Sequence, residues 1–220
     1  MSPLANGGRE GRFRAVIFDL GGVVFPSPFT AFAAHERERG LPEGFIRRVV
    51  ATNGEHSAWA CLERGEIDFS DFCRQFDAEC ERAGGRIDSA HLMALVRGRT
   101  TRPVPEMERA IGAIRARGMK TAALTNNWLS DRRESDPNPP HRLFDVVVES
   151  SRTGLRKPDP RIYRLVCDQL HVEPPETVFL DDLGMNLKPA RALGMTTIKV
   201  VEADDALAEL ERVLGFSLRS

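Results

Sequence analysis

Five short apolar runs punctuate the chain: RAVIF (14–18), KTAAL (120–124), DVVVE (145–149), TVFL (177–180) and TTIKV (196–200). Runs this short and this rich in valine and isoleucine suit strands covered on both faces, as in a parallel sheet. Between them the apolar positions recur at helical spacing. PEMERAIGAIRARG ends on Gly118, DPRIYRLVCDQLHV opens on the start signal Asp159–Pro160, and NLKPARALG ends on Gly194, each the punctuation of a helix terminus. Strands alternating with helices predict an α/β fold with a parallel sheet.

One interval breaks this rhythm. Residues 26–100 hold no convincing strand but several helical patterns, among them FTAFAAHERERG, EGFIRRVVAT and SDFCRQFDAECERAGG, the last with Ser70 as its expected N-cap. The reading is a core domain of residues 13–25 and 101–220, interrupted after the first strand by an all-helical lobe of residues 26–100. Residues 1–12 read as a flexible leader, and SDPNPPH (135–141) as a surface loop.

Composition narrows the class. With 220 residues, 41% of them apolar, the chain can bury a sizeable core. A formal net charge of -1 and no basic run give no pull toward nucleic acid. No stretch of about 18 apolar residues predicts a membrane span. Cys61, Cys73, Cys80 and Cys167 form no Cys-x-x-Cys pair, so neither zinc nor a disulfide framework is expected, and a reduced, cytoplasmic setting fits. Cys73 and Cys80 lie seven apart among Phe69, Phe72 and Phe76 and read as core.

The chemistry gathers at strand ends. Strand one runs into Asp19, strand two into Thr125, Asn126 and Asn127, and strand four into Asp181 and Asp182. The carboxyl ends of parallel strands face one crevice, so a carboxylate, a hydroxyl with amides, and a carboxylate pair converge. Adjacent carboxylates repel unless a cation offsets them, and an all-oxygen set suits Mg²⁺. Lys157, before Pro158 in GLRKPDPRIY, is biased away from helix and offers an ammonium for phosphate or for the carboxylates.

Taken in order and spacing, FDLGGVV, LTNN, RKPDPRIY and VFLDDLGMNLKPARALGM resemble the four motifs of the haloacid dehalogenase superfamily. Within it, the chain resembles domains that stand at the N-terminus of soluble epoxide hydrolases and of one acyl-CoA dehydrogenase family. The resemblance implies a Rossmann-like core with strand one central and a helical cap over the crevice. It implies Asp19 as nucleophile and metal ligand, Thr125 and the Asn126 backbone as phosphoryl holders, and Lys157 as their counter-charge. Asp182 and the Gly21 carbonyl would complete the protein ligands of Mg²⁺, Asp181 would orient water or Lys157, and Asn186 would lie near the phosphate. The substrate implied is a small phosphorylated molecule.

Gly21 departs from the family pattern. Family phosphatases usually carry there an Asp that protonates the leaving alcohol; Gly21 keeps the carbonyl and loses the acid, and a glycine there would also permit a turn of positive φ. General acid help is worth roughly 10² to 10⁴ in rate. Three readings follow: a phosphohydrolase slow on ordinary esters or restricted to good leaving groups, a phosphate-binding or regulatory domain without turnover, and, with less support, a dehalogenase. In the cap, His35, His56, Trp59, Arg64 and Arg74 are candidates to face the crevice, with Trp128 at its entrance.

Overall fold

A computed structural model of the protein describes residues 12–99, 102–128 and 140–218; nearly all of the expected leader and residues 135–139 of the Pro-rich loop lie outside these. All five expected strands form: β1 (Ala15–Phe18), β2 (Lys120–Thr125), β3 (Val146–Glu149), β4 (Thr177–Asp181) and β5 (Thr196–Lys199). Between β1 and β2 lie α1 (Phe29–Glu38), α2 (Phe45–Thr52), α3 (Ala58–Glu63), α4 (Phe69–Arg82), α5 (Ser89–Arg99) and α6 (Pro105–Ala116). Helix α7 (Ser150–Thr153) follows β3, α8 (Pro160–Leu170) precedes β4, α9 (Gly184–Ala192) precedes β5, and α10 (Ala203–Leu214) follows β5.

Every strand pairing is parallel, in the order β3-β2-β1-β4-β5. The central strand is wholly buried, and its residues alternate between two apolar layers. Val16 and Phe18 join Met107, Ile111 and Ile114 of α6 and Leu207 and Leu210 of α10. Ala15 and Ile17 join Ile162, Tyr163 and Val166 of α8 and Leu187 of α9. Helices on both faces are why the strands read as continuous apolar runs.

Two strand ends extend the sequence reading by one residue. β2 reaches Thr125 by pairing with Glu149, and β4 reaches Asp181 by pairing with Lys199. Asp181 is therefore held within the sheet, while Asp182 stands just beyond it. Helix α9 begins at Gly184, two residues before the expected start.

Helices α1 to α5 pack around an apolar cluster of their own, built from Phe32, Ile46, Trp59, Phe72, Phe76 and Leu92. Cys80 is buried and Cys73 half-buried in this region, and all four cysteines are free thiols. The start of α4 corrects the expectation: Asp68, not Ser70, caps it, its extended backbone aiming the carboxylate at the Asp71 N–H. Ser70 falls inside the first turn. Two other helix starts in the lobe draw on neighbouring helices. Glu36 of α1, only 2% exposed, accepts from Gly44 and Ile46 N–H at 2.8 Å each and so closes the start of α2. Asp77 of α4 does the same for α5 through Ser89. Carboxylates in these places satisfy orphan helix donors. Among the described residues no helix is long and apolar enough to cross a membrane.

Candidate active site

The strand order sets the carboxyl ends of β2, β1 and β4 side by side, at the point where the sheet, built outward from β1 through β2 and β3, switches to the other side with β4. Asp19, Thr125 and Asp181 converge there and are buried. Lys157 joins them at 1% exposure, its Nζ 2.9 Å from Asp19 Oδ1 and 2.7 Å from Asp181 Oδ2. A loop lysine needs a seat to stay in such a place, and Asn126 provides one. Its side-chain amide donates to the Lys157 carbonyl at 2.9 Å, and its Oδ1 accepts from the Lys157 N–H at 2.8 Å.

Asp181 is itself fixed. Its Oδ1 accepts from the Leu183 N–H at 2.8 Å, and the Asn186 amide reaches both carboxylate oxygens at 3.1 Å. The Asn186 carbonyl in turn accepts from the Tyr163 hydroxyl at 2.7 Å. The side-chain amide of Asn186 therefore meets Asp181. Asp182 is half-buried beside this group.

Electrostatics leave the cluster short of positive charge. Burial pushes the Asp19 carboxyl up to about 7, with Lys157 pulling against it and Asp181 adding to the rise. Burial and the neighbouring Asp181 carboxylate push Asp182 up to about 6. For Lys157 burial acts downward, but the Asp19 and Asp181 carboxylates reverse it and hold the ammonium above the ordinary lysine value. One ammonium does not balance three carboxylates. Oxygens of Asp19, Asp181 and Asp182 all lie within 4.8 Å of one another, a hard, all-oxygen set of the kind that fits Mg²⁺.

The two glycines after Asp19 differ. Positive φ occurs at Gly22, at 83°, and not at Gly21, which corrects the expectation of a left-handed turn at Gly21. A Cβ on Gly21 would meet Pro28 Cδ at 3.5 Å, an ordinary contact. A Cβ on Gly22 would collide with the Asp182 carboxylate. Backbone conformation and close approach thus both require glycine at position 22, and position 21 has room for a Cβ.

Above the cluster, between the sheet and the helical lobe, lies a cavity of about 790 Å³. Asp19, Gly21, Thr125, Asn126, Lys157 and Asp182 form its polar floor, and Phe29, Phe32, Trp59, Val96 and Trp128 give it apolar walls. Arg47 of α2 also lines it, the guanidinium 4.2 Å from the Phe29 ring centre. Of the candidate crevice residues in the lobe, Trp59 lines the cavity, and Trp128 does so from the core. His35 is buried against α5, where its Nε2 accepts from Asp88 N–H. Arg64 pairs with Glu55 and Glu66, and Arg74 with Asp71. His56 is not among the lining residues. The residues missed were Gly22, Phe29, Phe32, Arg47, Glu63 and Arg156. Only Arg156 carried a local signal, standing directly before Lys157.

The geometry agrees with what the chain is similar to. Acyl-CoA dehydrogenase family member 10 of Mus musculus is 42% identical over 97% of this chain, and bifunctional epoxide hydrolase 2 of Sus scrofa is 38% identical over 93%. The chain spans only 20% and 39% of these two proteins. Phosphatase MT3486 of Mycobacterium tuberculosis is 32% identical, over 82% of this chain and 84% of its own length. A HAD family enzyme of Bacteroides thetaiotaomicron, solved in complex with magnesium and inorganic phosphate, shares the fold with a TM-score of 0.58. It is 19% identical over 85% of this chain and 93% of that one. The family model of the haloacid dehalogenase-like hydrolases matches residues 13–194, and with the parallel core and its carboxylate-lined strand ends the chain belongs to that family.

Proposed function

We propose that the chain is a Mg²⁺-dependent phosphohydrolase for a small phosphorylated metabolite, working through an aspartyl-phosphate on Asp19. The observation that carries this reading is the buried Asp19–Lys157–Asp181 cluster, with Asp182 beside it and a cavity above. Asp19 attacks phosphorus, and the leaving oxygen departs with the electron pair of the broken P–O bond. Water then attacks the same phosphorus as the Asp19 O–P bond breaks, its proton passing to solvent, which releases inorganic phosphate and restores the Asp19 carboxylate. This division replaces one difficult displacement with two easier ones. The Thr125 hydroxyl and the Asn126 backbone N–H hold phosphoryl oxygens, and Lys157 offsets their charge.

Asp19, Asp182 and the Gly21 carbonyl would hold Mg²⁺, which supplies the positive charge that the three carboxylates lack. Asp182 suits direct ligation better than Asp181, whose oxygens already serve Lys157, Asn186 and Leu183. Asp181 then positions Lys157, and Asn186 acts on the phosphate site through Asp181. The magnesium and phosphate bound by the Bacteroides enzyme, and the phosphatase name of the mycobacterial relative, support the same assignment. The helical lobe of residues 26–100 serves as a cap that selects the substrate. A reduced, cytoplasmic setting accords with the four free thiols.

Gly21 supports a second reading, a phosphate-binding domain without turnover, because the position at which family phosphatases usually carry the leaving-group acid is a glycine. Phosphate release from p-nitrophenyl phosphate with and without Mg²⁺ separates the two. Under the first reading release requires Mg²⁺, and Asp19→Asn, which keeps the size and removes the charge, abolishes it. A folded Asp19→Asn protein as fast as the wild type would sink the mechanism.

A further inference from the structure

Arg156 and Lys157 are neighbours in the chain but serve different partners. Lys157 joins Asp19 and Asp181. Arg156 turns to the helical lobe, its Nε and Nη2 reaching Glu63 Oε2 at 2.9 and 2.7 Å and its Nη1 reaching Glu55 Oε1 at 2.9 Å. Glu55 is 61% exposed and its limb is screened by water, whereas Arg156 and Glu63 are 15% and 10% exposed. The other oxygen of Glu63 accepts from the Trp59 indole N–H at 2.9 Å. Trp59 is a wall of the cavity, packed edge-on to Phe32 and Trp128. Directly beyond α3, Gly65 rests on the core so closely that a Cβ would lie 2.5 Å from the Ser151 carbonyl oxygen. The end of α3 that carries Glu63 is therefore seated on the core at two points.

We propose that Glu63 is a positioning residue that links the cavity wall to the phosphate-binding lysine: through Arg156 it holds the segment that seats Lys157, and through Trp59 it senses what fills the cavity. One carboxylate thus spans the two ends of the site, one oxygen on each. A substrate body pressed against Trp59 steadies Glu63, and the forked Arg156 contact, two N–H groups on the one oxygen Oε2 and so directional in a way a lysine contact is not, passes that restraint to the residue before Lys157. The proposal rests on the phosphate-site reading above.

The test uses Glu63→Gln, which keeps the size and an oxygen for the Trp59 indole but loses the charge facing Arg156. Inorganic phosphate is titrated with Mg²⁺ present, by calorimetry and by tryptophan emission in a Trp128→Phe background, which leaves Trp59 as the reporter because the chain has two tryptophans. The expected result is that phosphate alters Trp59 emission, that Glu63→Gln abolishes this response, and that it weakens phosphate binding several-fold. With p-nitrophenyl phosphate, kcat should fall roughly tenfold with a smaller change in KM, since displacement of Lys157 is felt most as charge develops. Arg156→Gln should do the same, and the double variant should be no worse than either single one. If Glu63→Gln fails to fold, Arg156→Lys, which retains charge without the fork, takes its place. A folded variant with unchanged phosphate affinity, emission response and kcat overturns this proposal alone. A wild type that binds no phosphate removes both this proposal and the function above.

Discussion

At Gly21 an added Cβ would touch only Pro28, at ordinary contact distance, and the backbone there has no positive φ, so Gly21→Asp is expected to fold. The introduced carboxyl would stand beside the leaving oxygen, where burial near Asp19 keeps part of it protonated at neutral pH. It should accelerate alkyl phosphate hydrolysis by up to roughly 10² to 10⁴ and leave acetyl phosphate, whose leaving group needs no proton, nearly unchanged. Equal acceleration of both substrates, or of neither, would show that the missing acid does not set the rate. Asp182 governs a second expectation at this scale. Its folded pKa of about 6, and that of Asp19 near 7, lie above the ordinary carboxylate value of 3.8. Unfolding therefore releases protons between those values, and the stability tied to both groups is present below about 4 and lost as pH rises through about 7. In a chelator-containing buffer, the melting temperature of Asp182→Asn should decline less between pH 4 and pH 7 than that of the wild type. Parallel curves would refute the assignment.

Among the elements, α2 takes its cap from another helix. Its N-cap Gly44 has φ 72° and offers no side chain, so the first-turn donors rely on Glu36 from α1. Removing an ionised acceptor strands two amides, each bond to a charged group being worth about 1.5–3 kcal/mol. Glu36→Ala should cost about 2 kcal/mol or more by denaturant unfolding, and should loosen Arg47 at the cavity wall. A loss below about 0.5 kcal/mol would mean that water serves these amides equally well. By contrast, α4 and α8 carry their own start signals, Asp68 and Asp159, each capping its helix with its side chain. That difference explains the uneven legibility of the lobe: a local cap can be read from neighbouring letters, and a cap lent by another helix cannot.

For the molecule as a whole, a ligand that binds only the folded state stabilises it by mass action. Mg²⁺ at a hundred times its Kd should contribute about 2.7 kcal/mol, visible as a rise in melting temperature that Asp182→Asn diminishes; equal affinity in the two proteins by calorimetry would remove Asp182 from the metal site. The apolar runs of the strands, the Asp and Thr motifs at their ends, the lysine motif before α8 and the interruption by helices were all legible in the sequence. Each rests on local pattern, and a parallel sheet has one way to align its carboxyl ends. Three things belonged to the tertiary structure: that Gly22 rather than Gly21 is the obligatory glycine, that Trp59 faces the cavity while His35, Arg64 and Arg74 do not, and that Glu63 meets Arg156. Gly22 is constrained by Asp182, far away in the chain, and Glu63 and Arg156 are 93 positions apart. Which side chains of the lobe meet the site follows from how its helices pack on the sheet, a non-local outcome that no spacing within a helix encodes.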